Sequence, residues 1–455
     1  MQIEQSLSIA NPNPIHTSTT QKVATAAISL GVLMALMAWA SGKVPFAPSV
    51  FLALAVGLVS VGTIFYVRDA YKGTPEGIKN NGVMFKSLTS RGVWGWMLGV
   101  LLTGFYACLY WFPEYLTGLI KMFDPLSILV RGKPGDQWFA YGTMYTLGVI
   151  LMGYKFAMKY RHNRYQIIRT ASVTFFQLGF SFMIPSFLAL MNEPEYYFSY
   201  FWPLKTDSMK PESINWIVSS SSHQLGLYFI GFSLIMTFIG TPVLTYFFGK
   251  RWYCSFVCGC GGLAETVGDP FRHLSDKSLS AWKIERWMIH SVLVAVTLMT
   301  ASLWIDSSTK GAFLGTFSHG FAKTYGFLIG SIFSGVIGTG FYPILGSRSW
   351  CRFGCPQAAI LGLFQRKKSK FRITTNGSQC ISCGNCSTYC EMGIDVRSYA
   401  QKGQDIVRSS CVGCGICSAV CPRGVLKLEN SDFDINERTD DHRAIHITAD
   451  KISML

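Results

Sequence analysis

Apolar residues in this chain run in long unbroken blocks separated by short polar stretches, without the alternating or three-to-four-residue period of a soluble domain. A helix needs roughly 20 largely apolar residues to cross a bilayer, and by that measure about eight spans are predicted. They fall near 23–41, 48–67, 93–112, 137–159, 168–191, 223–248, 285–304 and 325–345. Past Lys370 the hydropathy drops and a separate domain of about eighty residues follows. The predicted organisation is a tail over 1–22, a transmembrane helical domain over 23–365, and a polar domain with an acidic tail over 366–455. After Asn430 no periodicity is visible, which reads as a solvated or partner-contacting segment.

Two connections look like more than linkers. The stretch 112–136, with Leu116, Leu119, Ile120, Met122, Phe123, Leu126, Ile128 and Leu129, suits a helix lying on the outer interface. The stretch 192–222 is rich in Tyr, Phe and Trp, the composition of a membrane–water boundary.

Loop charges orient the bundle. Arg68, Lys72, Lys79, Lys86 and Arg91 follow the second span, and Lys159, Arg161, Arg164 and Arg169 follow the fourth. Lys250, Arg251, Arg272, Lys277, Lys283 and Arg286 follow the sixth; Arg348, Arg352 and the run Arg366, Lys367, Lys368, Lys370, Arg372 follow the eighth. The intervening loops are poorer in basic residues, so the positive-inside rule puts both termini and the C-terminal domain in the cytoplasm of a bacterial inner membrane. The polar start of the chain lacks a basic n-region before a short apolar one, so no cleaved signal peptide is expected. Composition agrees: 49% of the residues are hydrophobic and only 14% charged, against about a quarter in soluble domains. The net charge of +15 is thus the signature of inward-facing loops and needs no nucleic-acid partner.

The chemistry lies in the 14 cysteines. Eight form two runs of identical spacing, Cys380-x2-Cys383-x2-Cys386-x3-Cys390 and Cys411-x2-Cys414-x2-Cys417-x3-Cys421. Three closely spaced thiolates wrap three iron corners of a cubane, and in two-cluster ferredoxins the last cysteine of each run ligates the other cluster. One [4Fe–4S] cluster would therefore use Cys380, Cys383, Cys386 and Cys421, and the other Cys411, Cys414, Cys417 and Cys390. Paired zinc knuckles are the alternative for C-x2-C motifs, but two identical four-cysteine runs match clusters far better. Pro422 completes the ferredoxin pattern after the second run, whereas Glu391 stands in that place after the first.

Five further cysteines follow spans six and eight. Gly249-Lys-Arg251-Trp-Tyr253-Cys254-Ser-Phe256-Val-Cys258 and Gly346-Ser-Arg348-Ser-Trp350-Cys351-Arg-Phe353-Gly-Cys355 share the pattern G-x-R-x-aromatic-C-x-F-x-C. Two such pairs related by an internal repeat suit a four-thiolate site at the inner membrane face: iron, an iron–sulfur cluster or a redox-active dithiol pair. The alternative is a packed helix exit. Arg251 and Arg348 would stabilise anionic sulfur or contact lipid headgroups. Cys260 is an extra thiol with no counterpart in the second copy, and Cys108, inside the third span, reads as packing.

The order of these motifs resembles the polyferredoxin membrane proteins typified by NapH, NosR and CcoG, over roughly residues 220–430. The resemblance implies a polytopic α-helical membrane protein with a C-terminal cytoplasmic α+β ferredoxin domain of the bacterial two-cluster type. It implies Cys380, Cys383, Cys386, Cys390, Cys411, Cys414, Cys417 and Cys421 as cluster ligands, and Cys254, Cys258, Cys351 and Cys355 as the paired inner-face motifs. The chain departs from that family in three ways: it shows no flavin domain ahead of its spans, carries extra N-terminal helices, and has Gly259-Cys260 where Pro is usual.

The function expected is membrane electron transfer of the quinol-dehydrogenase type, between a quinone pool and a redox partner protein. Intramembrane ionisable residues are the default quinone contacts, here His223, His290 and His319. Haem b on the His223 and His319 pair is disfavoured, because their spacing is no motif. The basic run from Arg366 to Arg372 is expected to hold anionic lipid in preference to an acidic partner. A metal-handling or assembly factor that uses the clusters to reduce or deliver a metal such as copper is the alternative; a membrane redox sensor is weaker, since no output domain is visible.

Overall fold

In a computed structural model of the chain, residues 17–72, 87–222, 224–312 and 314–430 are described, together with the strands Ile445–Thr448 and Lys451–Met454. The helices are α1 (Thr19–Ser41), α2 (Pro48–Ala70), α3 (Val93–Trp111), α4 (Thr117–Arg131), α5 (Gln137–Lys159), α6 (Arg164–Leu190) and α7 (Leu225–Phe248). They continue with the short α8 (Gly259–Thr266), then α9 (Leu279–Ser308), α10 (Thr316–Ile337) and α11 (Pro356–Lys368). Among the described residues seven helices, α1, α2, α3, α6, α7, α9 and α10, are long and apolar enough to cross a membrane. Their outward side chains, such as Leu33, Phe65, Val100, Tyr228 and Leu298, are exposed on the perimeter, as contact with lipid tails requires.

The remaining expected span, α5, is 23 residues long but less apolar than these seven. Its position explains the difference. One end meets Arg131, Asp136 and Glu195, the other meets Asp269 through Lys159, so it runs the length of the bundle, about 35 Å at 1.5 Å per residue. It packs against α2, α4, α6 and α8 and faces protein, so Thr143, Thr146 and Lys159 are buried among polar partners. α4, anticipated as an interfacial helix, buries Gly118, Leu119, Met122 and Phe123 against the α1–α2 hairpin and leaves Ile128 and Leu129 outside.

The last predicted span, 325–345, is displaced toward the N-terminus as α10 (Thr316–Ile337). α10 ends at Ile337 and the chain then descends irregularly through Gly340 and Ile344, next to Thr103 and Gly99 of α3. The segment 249–272 behaves alike. It leaves the cysteine-rich domain at Gly249, rises until Phe256 accepts a hydrogen bond from Ser172, and peaks at Cys258-Gly259-Cys260 before returning to Lys159 and Asp269. A methyl group on Gly259 would lie 2.6 Å from Gln177 Oε1 and collide with the Tyr200 hydroxyl. Gln177 is midway along α6, so the tip of this loop reaches the middle of the helical layer. From the opposite face the 192–210 segment dips to meet it, with Tyr253 Oη donating to Ser199 O at 2.8 Å and Phe201 packed on Trp252 and Tyr253. Glycine is required at 259 by this close approach.

The cysteine-rich domain closes through β1 (Phe371–Thr375) and β2 (Leu426–Asn430), which flank the two runs and pair antiparallel with Phe371 opposite Asn430 and Thr375 opposite Leu426. Its core is continuous with the bundle: Phe371, Ile373, Ile394, Ile406 and Val412 pack in one cluster with Phe201, Tyr253, Cys254 and Cys258. Beyond Asn430, β3 (Ile445–Thr448) pairs antiparallel with β4 (Lys451–Met454), a hairpin in a tail expected to lack regular structure.

The two runs share a backbone pattern. Gly384 and Gly415 take φ of 81° and 71° and each starts a short helix, Asn385–Thr388 and Ile416–Ala419. Two residues before each glycine the backbone is again left-handed, at Ser382 (φ 58°) in the first run and Gly413 (φ 64°) in the second. A side chain fits at the first site, where Ser382 Oγ accepts from Gln401 Nε2 at 2.8 Å, but at Gly413 it would lie 2.6 Å from Arg251 Cβ. We expect Ser382→Gly to change stability by no more than about 1 kcal/mol, since relief of left-handed strain offsets the lost bond and the added chain entropy. Gly413→Ser is expected to weaken attachment of the domain, measured as faster proteolytic release from the purified protein.

Candidate iron–sulfur and thiol sites

The two cysteine runs cross over. Cys380, Cys383, Cys386 and Cys421 line one cavity of about 350 Å³ together with Ile381, Arg397 and Arg423. Cys390, Cys411, Cys414 and Cys417 line a second of about 370 Å³, with Glu391, Ile394 and Val412. Each cavity takes three thiols from one run and the fourth from the other. Among the described residues no three His, Cys, Asp or Glu side chains converge as a single metal ion requires. Three closely spaced thiols from one run and a fourth from the other are the ligand set of a cubane in two-cluster ferredoxins.

The cavities differ in surroundings. Ser255 Oγ donates to Val412 O (2.8 Å), Tyr165 Oη to Gly413 O (2.7 Å), Gln166 Nε2 to Cys414 O (2.9 Å), Gln365 Nε2 to Cys411 O (2.8 Å) and Lys250 Nζ to Ser409 O (3.2 Å). All five donors belong to the helical domain and all five acceptors to the loop around the second cavity. That cavity therefore lies against the bundle. The first opens away from it, with Ile381, Arg397 and Arg423 exposed at its edge.

Between bundle and second cavity lies a buried charge network that the sequence did not announce. Glu391 is wholly buried and meets Arg348 Nη2 at 3.0 Å and Arg272 Nη1 at 3.3 Å. Arg348 Nη2 also lies 3.7 Å from Glu265, which pairs closely with Arg169. Arg272 Nε lies 3.1 Å from Asp269, which accepts from Lys159 Nζ at 2.8 Å. Several of these contacts are ion pairs by distance without well-aligned hydrogen bonds. Arg352, paired with Glu285 at 2.7 Å, ties the second repeat to α9 in the same way. Lys159, Arg169, Lys250, Arg272, Arg348 and Arg352, counted by sequence among the loop charges, are thus buried structural cations. The departure from the ferredoxin pattern at Glu391 was the one available signal, because a carboxylate replacing a turn proline needs a partner.

Burial alone would raise the Asp269 carboxyl pKa, but Lys159 and Arg272 outweigh it and hold the group well below the usual carboxylate range. A depressed carboxylate contributes stability that is fully present above its unfolded value, about 3.9, and is lost as pH falls toward the folded one. We expect Asp269→Asn to be clearly less stable than the parent at pH 7, with the gap only partly narrowed at pH 3 because that pH still lies above the folded value, as read from thermal unfolding at the two pH values.

Five of the other six thiols lie near one another. Cys258 lies within electrostatic reach of Cys254, Cys260, Cys351 and Cys355. Arg348 stands between the repeats, with Nη1 3.3 Å from Cys254 O and 3.8 Å from Cys351 Sγ. Cys254, Cys258, Cys351 and Cys355 are buried, and Cys260 faces a cavity on its far side. The internal repeat therefore brings both cysteine pairs together, deeper in the bundle than its edge.

Two of the three candidate histidines, His290 and His319, fall among the described residues. His223 lies outside the described residues. His290 is on α9, partly exposed. His319 is exposed at the end of the bundle remote from the cysteines, 3.3 Å from Asp306 and 3.6 Å from Glu212. Cys108 sits half-buried among the packed residues of α3.

Comparison with known proteins agrees with this division. Residues 379–426 match the model of a 4Fe-4S dicluster domain. Residues 230–278 and 325–374 each match the model of a 4Fe-4S binding domain, one copy for each repeat. These features define a multi-pass helical membrane protein carrying 4Fe–4S binding domains. Among curated proteins the chain is similar to YccM of Escherichia coli (strain K12), named for electron transport, with 26% identity over 187 residues, 37% of this chain and 48% of that protein. The match thus spans about half the length of the relative. No solved structure matches the chain.

Proposed function

We propose that this chain transfers electrons between a membrane quinone pool and a redox partner protein through two [4Fe–4S] clusters. In this reading Cys390, Cys411, Cys414 and Cys417 hold a proximal cluster against the bundle. Cys380, Cys383, Cys386 and Cys421 hold a distal one at the exposed edge, where Arg397 and Arg423 suit an acidic partner. Cys254, Cys258, Cys351 and Cys355, with Cys260 beside them, form a third thiolate centre between the bundle interior and the proximal cluster. The carrying observation is the pair of four-cysteine cavities, one locked to the helical domain by five hydrogen bonds and one facing outward. Loop charges favour a bacterial inner membrane with the ferredoxin domain in the cytoplasm. The clusters supply one-electron carriers; the chain places them, excludes water from the proximal one, and sets the local charge through Arg272, Arg348 and Glu391.

Iron and sulfide analysis with EPR on the purified protein, and on the Cys254→Ser/Cys351→Ser double variant, tests this reading. Two ferredoxin-type signals are expected in both, and loss of further iron in the variant; unchanged iron content removes the third centre. A copper-handling role suits the same five soft thiols, favoured by the Cys258–Cys260 pair. Stoichiometric Cu(I) binding without cluster bleaching by quinol would select it instead.

A further inference from the structure

Two spaces in the bundle share Phe182 as a wall. The first, about 940 Å³, is lined by the aromatic rings of Trp138, Tyr141, Tyr145, Tyr197 and Tyr200, with Gln177 and Ser181 on its α6 side and Cys260 at its inner end. Its rim, remote from the ferredoxin domain, is charged: Arg131 pairs with Asp136 at 3.3 Å and closely with Glu195. Gln177 is 95% buried by its 5% exposure; its Nε2 donates to Thr146 Oγ1 at 3.0 Å, and its Oε1 has no partner. Both Gln177 and Ser181 lie in a π-helical stretch of α6, Phe176–Met183, a distortion that often marks a ligand site.

The second space, about 1200 Å³, is an open groove between α2, α4, α5 and α6, lined almost wholly by apolar side chains such as Leu52, Val56, Leu126, Leu147 and Ile150. Phe182 is a wall of both spaces, and Thr146, which holds Gln177, belongs to the groove. An aromatic-walled polar chamber joined to an apolar groove on the lipid side calls for a ligand with a flat, hydrogen-bonding ring and a long hydrocarbon chain. On the electron-transfer reading, that ring is one that exchanges electrons.

The geometry points to one binding site for a lipid-soluble quinone, with its ring among Gln177, Tyr200 and Cys260 and its isoprenoid chain in the groove behind Phe182. This rests on the electron-transfer reading above and names a site for its quinone. In the oxidising direction the quinol loses two O–H bonds and gains two C=O bonds. Its two electrons would go singly, past the Cys258 and Cys260 side chains, to the two [4Fe–4S] clusters that the eight ferredoxin cysteines would hold, one electron to each. Its two protons leave toward the rim, where Tyr197 Oη lies 3.5 Å from Glu195 Oε2. The reverse direction reduces quinone with the same balance.

The test uses the full-length, cluster-loaded protein in detergent, with anaerobic bleaching of the clusters by dithionite, by tailless duroquinol and by a decyl-tailed quinol. Dithionite bleaching is expected to be the same in all variants, showing that clusters are intact. Gln177→Leu is expected to slow bleaching by both quinols at least about tenfold, the loss of one buried hydrogen bond. Ala53→Phe, which narrows the groove, is expected to raise the concentration of tailed quinol needed for half-maximal rate and leave duroquinol unaffected. If the parent is bleached by quinols and both variants match it, the site lies elsewhere and this proposal is overturned while electron transfer from quinol stands. If no quinol bleaches the parent although dithionite does, the quinone reading itself fails, and the site with it.

Discussion

In Cys414→Ala, about half of the ferredoxin-type iron is expected to be lost, and the surviving cluster should respond to dithionite but no longer to quinol. In Cys383→Ala the same fraction of iron is lost, yet the surviving cluster should still be bleached by quinol and only delivery to an external acceptor should fail. The asymmetry follows from position. Cys414 belongs to the cavity whose loop carbonyls receive hydrogen bonds from Ser255, Tyr165, Gln166, Gln365 and Lys250, and Cys383 to the cavity that opens outward beside Ile381 and Arg423. Removing the proximal carrier interrupts the path at its membrane end; removing the distal one interrupts only the exit. EPR of each variant, reduced in turn by quinol and by dithionite, reads this directly. Equal loss of quinol response in both would show that the relay does not run proximal to distal.

The second large effect is expected at Glu391. Replacing it by glutamine keeps the volume but leaves Arg272 and Arg348 buried without their shared carboxylate, with Arg169 close by. Breaking a buried pair by removing one partner costs about 3–5 kcal/mol, far more than the pair itself contributes relative to an apolar replacement. The strain falls where the ferredoxin domain meets the bundle, so the domain should detach before the helices unfold. Limited trypsin digestion at the exposed Arg366–Lys368 end of α11 should release it many times faster than from the parent, and quinol-driven bleaching should slow in step. Adding Arg272→Met to Glu391→Gln should recover part of the stability, because it removes one of the stranded charges. If Glu391→Gln resists trypsin as well as the parent does, the network does not hold the domain.

Much of this was legible in the order of residues because the signals are local. An apolar block of some twenty residues reports its span without reference to any neighbour, and seven of the eight expected spans are helices of that kind. α5 was legible as a helix, but its polar positions made sense only once α2, α4, α6 and α8 surrounded it. The crossed grouping of the eight ferredoxin cysteines followed from spacing, and the cavities reproduce it. The paired C-x3-C motifs were visible as a repeat; that their loop climbs to the level of Gln177 was not, because a re-entrant path depends on Gly259 meeting Tyr200 and Gln177 from distant segments. Charge was the most misleading signal. A lysine or arginine after a span looks the same whether it faces water or, as with Lys159, Arg169 and Arg348, a carboxylate 110, 96 or 43 residues away in the chain.

By itself, then, the sequence determined the membrane class, the number and rough place of its helices, and the two four-cysteine sets, since hydropathy and ligand spacing act over a few residues at a time. Only the tertiary structure decided which cavity faces the bundle, that Glu391 clasps Arg272 and Arg348, and that an aromatic chamber ends on Cys260. Each of those depends on side chains that are remote in the chain and meet only when the helices pack, where burial turns an ordinary charge or amide into one that must find a partner.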